Sequence, residues 1–245
     1  MSAVLRTSTQ TVSALATTSA EAAYPASNLL LPAIRKPWRS TSTAAQNVDI
    51  DLGSAIANPI IALQGCNASS LTVSYGTASY TTVSLGALNT AQDRHGTRRL
   101  SVAIPASARY VRLVFSGTPS DGAGYWFGGS LYVFGSTLTL PDDPLLGSEV
   151  NARSPQSRVE LPNGNRITID RGAPRQQINL RFRTARSADI DALTRAVRAG
   201  VCWLDLGIDT NRELQWPVQI DSDTAPRTLS RADQDDTSIA LVEVA

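Results

Sequence analysis

Tyr24-Pro25-Ala26-Ser27-Asn28-Leu29-Leu30, followed shortly by Pro37-Trp38-Arg39-Ser40, decides how this chain is read. Pro25, Pro32 and Pro37 each fix φ and remove a backbone donor, so neither a helix nor a central strand is expected to run through. Asn28 can bond its own backbone and hold a turn. Leu29, Leu30 and Trp38 are too apolar to sit in water together. The reading is a structured loop folded over one end of a β-sandwich, with Trp38 as the plug.

Outward from that loop, the first half of the chain repeats a period of two. A first strand is expected near 10–18, where Val12, Ala14 and Ala16 alternate with polar neighbours. The residues before it read as a flexible arm, or as a segment that orders only against a partner. Val48, Ile50 and Leu52 alternate with Asn47, Asp49 and Asp51. Ile60-Ile61-Ala62-Leu63 is a short core strand ended by Gly65. Leu71, Val73 and Tyr75 stop at Gly76, and a strand over 81–85 stops at Gly86. A polar loop over 89–99 carries His95. Leu100, Val102 and Ile104 follow, then Val111, Leu113 and Phe115, then a strand over 131–134. Many short strands with turn signals and no helical period give an all-β sandwich.

The prolines, glycines and acids of 136–158 have the composition of a connection, placed at 139–157. Beyond it, 159–161 and 166–170 flank Asn163-Gly164, a hairpin signal. A long strand is expected over 176–184, then a helix over 187–199. Ser187 is its N-cap, Asp189 and Asp191 lie in its first turn, Ile190, Leu193 and Val197 form its stripe, and Gly200 stops it. Strands over 201–206, 214–220, 227–231 and 237–244 complete a β-sandwich or barrel with one packed helix.

The chain has 245 residues, enough for two ordinary domains with their own cores. With 22 basic and 21 acidic residues the net charge is +1, which leaves no electrostatic footprint for nucleic acid or an anionic membrane. Lys36 is the only lysine. Cys66 and Cys202 sit in or beside apolar strands and read as buried free thiols. Ser and Thr interrupt every apolar run near the start, so neither a secretory signal nor a membrane span is expected, and the protein reads as soluble and made in the cytoplasm.

Signals for an enzyme are nearly absent. His95 stands between Arg94 and Gly96 without a nucleophile context, and reads as a solvated loop residue. No Cys/His cluster has metal spacing, and no glycine loop is placed to cradle phosphate, so neither metal nor cofactor is expected. Asp233, Asp235 and Asp236 resemble half of a calcium loop but lack its glycine and distal glutamate, and read as an exposed turn. Tyr125-Trp126-Phe127, in a glycine-rich loop, is the ligand candidate, since aromatic faces stack on sugar rings. The other reading, favoured over a ligand site, is that these rings cap the sandwich or dock on a neighbouring subunit.

The opening loop, with Tyr24, Pro25, Asn28, Leu29, Trp38 and Arg39 as its defining residues, resembles galactose-binding-like (discoidin-like) jelly-roll domains. So, in order, do Val48-Asp49-Ile50-Asp51-Leu52-Gly53, Ala108-Arg109-Tyr110-Val111-Arg112-Leu113 and Gly129-Ser130-Leu131-Tyr132-Val133-Phe134-Gly135. The resemblance implies a jelly-roll sandwich over 1–138, on a fold that hosts sugar, lipid and protein binders as well as structural modules. The element order of 158–245 resembles the tail-tube and distal-tail proteins of long-tailed bacteriophages. That resemblance implies a virion protein of the tail tip or baseplate, forming a homo-oligomeric ring, of six copies in that family. The ring would contact tail-tube and baseplate hub or fibre proteins. A carbohydrate-binding or receptor-recognition module for a cell-surface glycan is the other expectation.

Overall fold

A computed structural model describes residues 4–31, 36–92, 98–140, 149–153, 156–160, 166–170, 175–206, 215–220, 227–231 and 234–244. The protein is mainly β. In the first half run β1 (Val4–Thr9), β2 (Ala14–Thr17), β3 (Trp38–Arg39), β4 (Gln46–Ile56), β5 (Ile60–Cys66), β6 (Ser70–Gly76), β7 (Val83–Asn89), β8 (Ala91–Gln92), β9 (Arg98–Ala103), β10 (Ala108–Phe115) and β11 (Phe127–Thr139). In the second half run β12 (Glu149–Arg153), β13 (Gln156–Glu160), β14 (Arg166–Asp170), β15 (Arg175–Arg186), helix α1 (Ser187–Arg198), β16 (Cys202–Asp205), β17 (Gln215–Ile220), β18 (Arg227–Arg231) and β19 (Gln234–Glu243).

The first half is a sandwich. One sheet has the order β2-β4-β10-β6-β7, and the other runs through β11, β5, β9 and β8. The period of two decides which side chains meet between them. Val48 and Ile50 of β4, Leu71 and Val73 of β6, and Val111, Leu113 and Phe115 of β10 face Ile61 and Leu63 of β5 and Leu131 and Val133 of β11. Each such residue, fully buried, contributes about 1.5–3 kcal/mol of transfer free energy. Gly129 lets β11 lie close to β5, since a Cβ there would stand 2.5 Å from the Gln64 carbonyl oxygen.

The Trp38 loop closes this core. Trp38 and Leu29 are buried, and the Trp38 ring meets Phe115 edge-on at 5.3 Å. The Trp38 indole N–H donates to the Ser19 carbonyl at 3.0 Å, so the ring enters the core with its polar atom satisfied. The Asn28 side chain donates to the Pro37 carbonyl at 3.2 Å and ties the two ends of the loop together. Two expectations change here. A short 3-10 turn, Ala26–Leu30, does form, because Pro25 sits just before its start, where a missing N–H costs nothing. Leu30 does not enter the core: Leu29 takes the inward direction of that turn, and Leu30 stays 43% exposed.

The start of the chain overturns the flexible-arm reading. β1 pairs antiparallel with β11 on one side, Leu5 opposite Leu138, and with β16 on the other, Leu5 opposite Leu204. Its neighbours supply hydrogen bonds along both edges, so it is an interior strand. Through β1 the described strands form one twelve-stranded sheet whose main path is β12-β15-β19-β17-β16-β1-β11-β5-β9-β8. β18 adds to β19 and β3 adds to β11, while β13 and β14 pair separately as the predicted hairpin. The hairpin's turn, Asn163-Gly164, lies outside the described residues.

Helix α1 covers one face of the second half, touching β1, β15 and β17. Leu193 and Val197 of its stripe join Leu5, Leu140, Ile178, Leu180, Leu204, Val218, Ile239 and Leu241 in a second core. The side chain of Ile190 lies outside the described residues. A small third cluster on the opposite face joins Ile60, Ala62, Tyr132 and Phe134 to Trp203 across the seam.

Three further differences have local causes. Gly86 does not stop its strand: at φ +75° it forms a bulge inside β7, where the register against β6 shifts. The stretch read as a connection, 139–157, contains β12, which pairs with β15 from Glu149 opposite Asn179, and the first residues of β13. Asp235 and Asp236 lie in β19 and pair with β18, not in a turn, and Asp233 lies outside the described residues.

Candidate functional site

β3 positions the site. Its two residues alternate, so Trp38 points into the core and Arg39 points out. β3 pairs with the first residues of β11, with Arg39 opposite Phe127 and Trp38 opposite Gly128. The Arg39 amide donates to the Tyr24 carbonyl at 3.2 Å, and the Ser40 amide donates to the Trp126 carbonyl at 2.9 Å. The Trp126 amide donates in return to the Ser40 hydroxyl at 2.8 Å. The opening loop and the aromatic loop, a hundred residues apart in sequence, are therefore stitched together around Arg39.

The three aromatic candidates part company. Trp126 is fully buried, tilted against Phe115 at 6.0 Å, and its indole N–H donates to the Thr43 and Ala44 carbonyls. It is a core residue with no face left for a ligand, which corrects its place in the sugar-stacking trio. Tyr125 and Phe127, on either side of it in an extended segment, are half-buried at the surface. The guanidinium of Arg39 meets the rings of both Tyr125 and Tyr24, its central carbon 4.9 Å and 3.8 Å from the two centroids. Each such contact contributes about 0.5–1 kcal/mol at an exposed site and more when water is excluded. The Arg39 Nε is buried with no hydrogen-bond partner, and no carboxylate among the described residues pairs with the group.

Asn67 fixes this geometry, and the sequence reading missed it. The residue is buried at 2% exposure. Its side-chain NH2 donates to the Tyr125 carbonyl at 3.0 Å and to Asp121 at 3.1 Å. Its side-chain oxygen accepts from the Phe127 amide at 3.0 Å. A buried amide with every contact satisfied holds one loop conformation. Its sequence signal was only that of a turn residue after Cys66.

A second group of cations contrasts with Arg39. On the outer face of the five-stranded sheet, Arg112 makes a bidentate pair with Asp49 at 2.6 and 2.7 Å. Arg109 does the same with Asp51 at 2.9 and 3.1 Å. Tyr80 meets Tyr110 edge-on at 5.0 Å, with Arg112 over Tyr80 and Arg109 over Tyr110. The Arg109 hydrogen bond, then the Gly53 amide, hold the Asp51 carboxyl below its ordinary range. These charges satisfy one another, so the ladder is a structural feature of the sheet.

Elsewhere, an open cleft of about 430 Å³ lies at the seam between β11 and the end of α1, lined by Gln10, Leu30, Leu131, Tyr132, Gly200 and Val201 among others. His95 lies outside the described residues. Cys66 and Cys202 are free and buried, as read from the sequence, and burial pushes both thiols up to about 12. Among the described residues no group of three or more His, Cys, Asp or Glu is placed to hold a metal ion, and no helix is long and apolar enough to cross a membrane.

No protein-family model matches the chain, and no curated protein does. Solved structures similar to it over about half its length include several carbohydrate-binding modules. Chitosan-binding module 1 of a chitosanase/glucanase from Paenibacillus sp. IK-5 has a TM-score of 0.40 and 19% identity, covering 53% of this chain and 98% of that one. The family 32 module of AlyQ, in complex with 4,5-unsaturated mannuronic acid, has a TM-score of 0.38 and 20% identity, covering 53% and 99%. The family 32 module of NanJ from C. perfringens, in complex with galactose, has a TM-score of 0.39 and 16% identity, covering 49% and 92%. None of these neighbours is a phage tail or baseplate protein, and the sugars in those complexes belong to those modules.

Proposed function

We propose that the protein is a non-catalytic recognition protein whose sandwich binds saccharide at the Tyr24–Arg39–Tyr125 clamp. The observation that carries this reading is the clamp itself: a guanidinium within cation–π distance of two aromatic rings, partly open to solvent, with no carboxylate among the described residues paired to it. A planar fork of donors suits the paired oxygens of a sugar, and rigid tyrosines add contact area at low entropic cost. The buried Asn67 network supports the same reading, because it fixes the loop before any ligand arrives. A non-catalytic role agrees with the two thiols, which stay protonated and so do not act as nucleophiles near neutral pH. The test is calorimetric titration of the full chain with a panel of neutral and acidic oligosaccharides. Binding at millimolar to micromolar Kd that weakens about tenfold in Tyr125→Ala supports the proposal. A panel with no binder ends it.

A structural role in a phage tail tip is the second reading. It is favoured by the second half, where hairpin β13–β14, the long β15, helix α1 and four further strands follow in the order of the tail-tube and distal-tail resemblance. In this reading β1 mounts the sandwich rigidly on a ring-forming body in the virion. Native mass spectrometry, alone and after mixing with a tail-tube protein, tests it. A closed ring near six copies supports it, and a monomer under both conditions removes it.

A further inference from the structure

We infer that Arg39 recognises an oxyanion, so that the saccharide is an acidic one, carrying a carboxylate or sulfate group edge-on to the guanidinium. This rests on the saccharide reading above and adds the charge of the ligand. The contrast within one sandwich carries it. Arg109 and Arg112 each meet a carboxylate with two hydrogen bonds of 2.6–3.1 Å. Arg39 carries the same guanidinium with two aromatic rings beside it instead of one, but no described carboxylate pairs with it.

Physical chemistry gives that difference a consequence. Two tyrosine rings within cation–π distance displace water from part of the group, leaving its terminal NH2 groups to make the strong bonds. The Arg39 Nε is buried, so the two terminal NH2 groups are the donors that an arriving acceptor meets. A neutral sugar hydroxyl satisfies such donors, but a charge-assisted bond is roughly twice as strong, and a bidentate pair also fixes orientation. The tyrosines hold the plane in advance, so little rotamer entropy remains to be lost on binding.

The experiment compares three trisaccharides on the full chain by calorimetry: trigalacturonate, neutral galactotriose and sulfated galactotriose. At least one acidic trimer is expected to bind about tenfold or more tightly than the neutral one. Which acid wins distinguishes carboxylate from sulfate. Arg39→Gln should bring the acidic trimer to the neutral level, and Arg39→Lys should recover only part, because it keeps the charge and loses the fork. Melting curves of both variants establish that they fold. On the unaltered protein, raising salt from about 0.05 to about 0.5 M should weaken acidic binding several-fold and leave neutral binding unchanged. Equal affinity for neutral and acidic trimers, or acidic binding that survives Arg39→Gln, overturns the inference. Neutral binding that still depends on Tyr125 then leaves the saccharide reading standing. No binding by any trimer removes both.

Discussion

The two halves of the molecule complete their cores differently. The sandwich draws its whole buried cluster, from Leu29 to Val133, from its own strands and loops. The second half does not close with its own residues. Its core takes Leu5 from the start of the chain and Leu140 from just past β11, alongside Ile178, Leu204 and Leu241. One half is self-sufficient and the other is finished by a strand that both share. The difference teaches that β1 gives a buried residue to the second core as well as a strand beside β11, although it lies nearly two hundred residues from β16.

Substitutions in each core test that asymmetry, and the largest expected effect is at the loop plug. Trp38→Ala should cost about 3–5 kcal/mol. Hydrogen exchange should accelerate across β4, β6 and β10 more than across β15 and β19. A melting curve identical to that of the unaltered protein removes the plug. Leu5→Ala comes next, at about 2–5 kcal/mol, with the opposite footprint: β16, β17 and β19 should exchange faster while β10 holds. If both variants loosen the whole chain equally, the continuous sheet unfolds as one cooperative unit and the contrast between the halves dissolves.

The cysteines sharpen the comparison without disturbing either core. Cys66 belongs to the first cluster and Cys202 to the second, and both thiols are pushed up to about 12. At about pH 8 each should react with a thiol reagent only when its own region opens. Cys202 should therefore label faster than Cys66, and faster still in Leu5→Ala. Equal rates in all three proteins argue for one cooperative body.

The smallest effect concerns the ladder of the sandwich. Asp51 titrates below its ordinary range because Arg109 and the Gly53 amide bond its ionised form. Its stabilising share is present above the ordinary carboxylate value, near pH 4, and is lost as pH falls through its own lower value. Between about pH 7 and about pH 3 the unaltered protein should lose more stability in urea melts than Asp51→Asn does. A parallel loss in both proteins removes Asp51 from the acid response.

Much of this was legible in the chain. Alternation placed Val48, Ile50, Leu71, Val73, Val111 and Leu113 inward, because side-chain direction in a strand follows from covalent geometry alone. Three prolines around Trp38 marked a loop, and the helix ending at Arg198 showed its caps and stripe. The site was only half legible. Tyr125 and Arg39 were both singled out, yet their meeting depends on β3 pairing with β11, and the sequence does not encode that distance locally. Trp126 was left with two readings, because a residue's neighbours in sequence do not say which side of the chain faces the core. β1 was missed for the same reason. Leu5 and Thr7 do alternate, but six residues are too short a signal without sight of the two partners.

The sequence by itself determined the local states: strand, turn, loop and helix, set by backbone sterics, proline and the period of hydrophobic residues. Only the tertiary structure decided which distant strands pair, that Val4–Thr9 joins both halves in one sheet, and that Arg39 meets both Tyr24 and Tyr125. The physical reason is range. Steric and propensity effects act within a few residues, whereas pairing and packing are selected by burying apolar area across the whole chain at once.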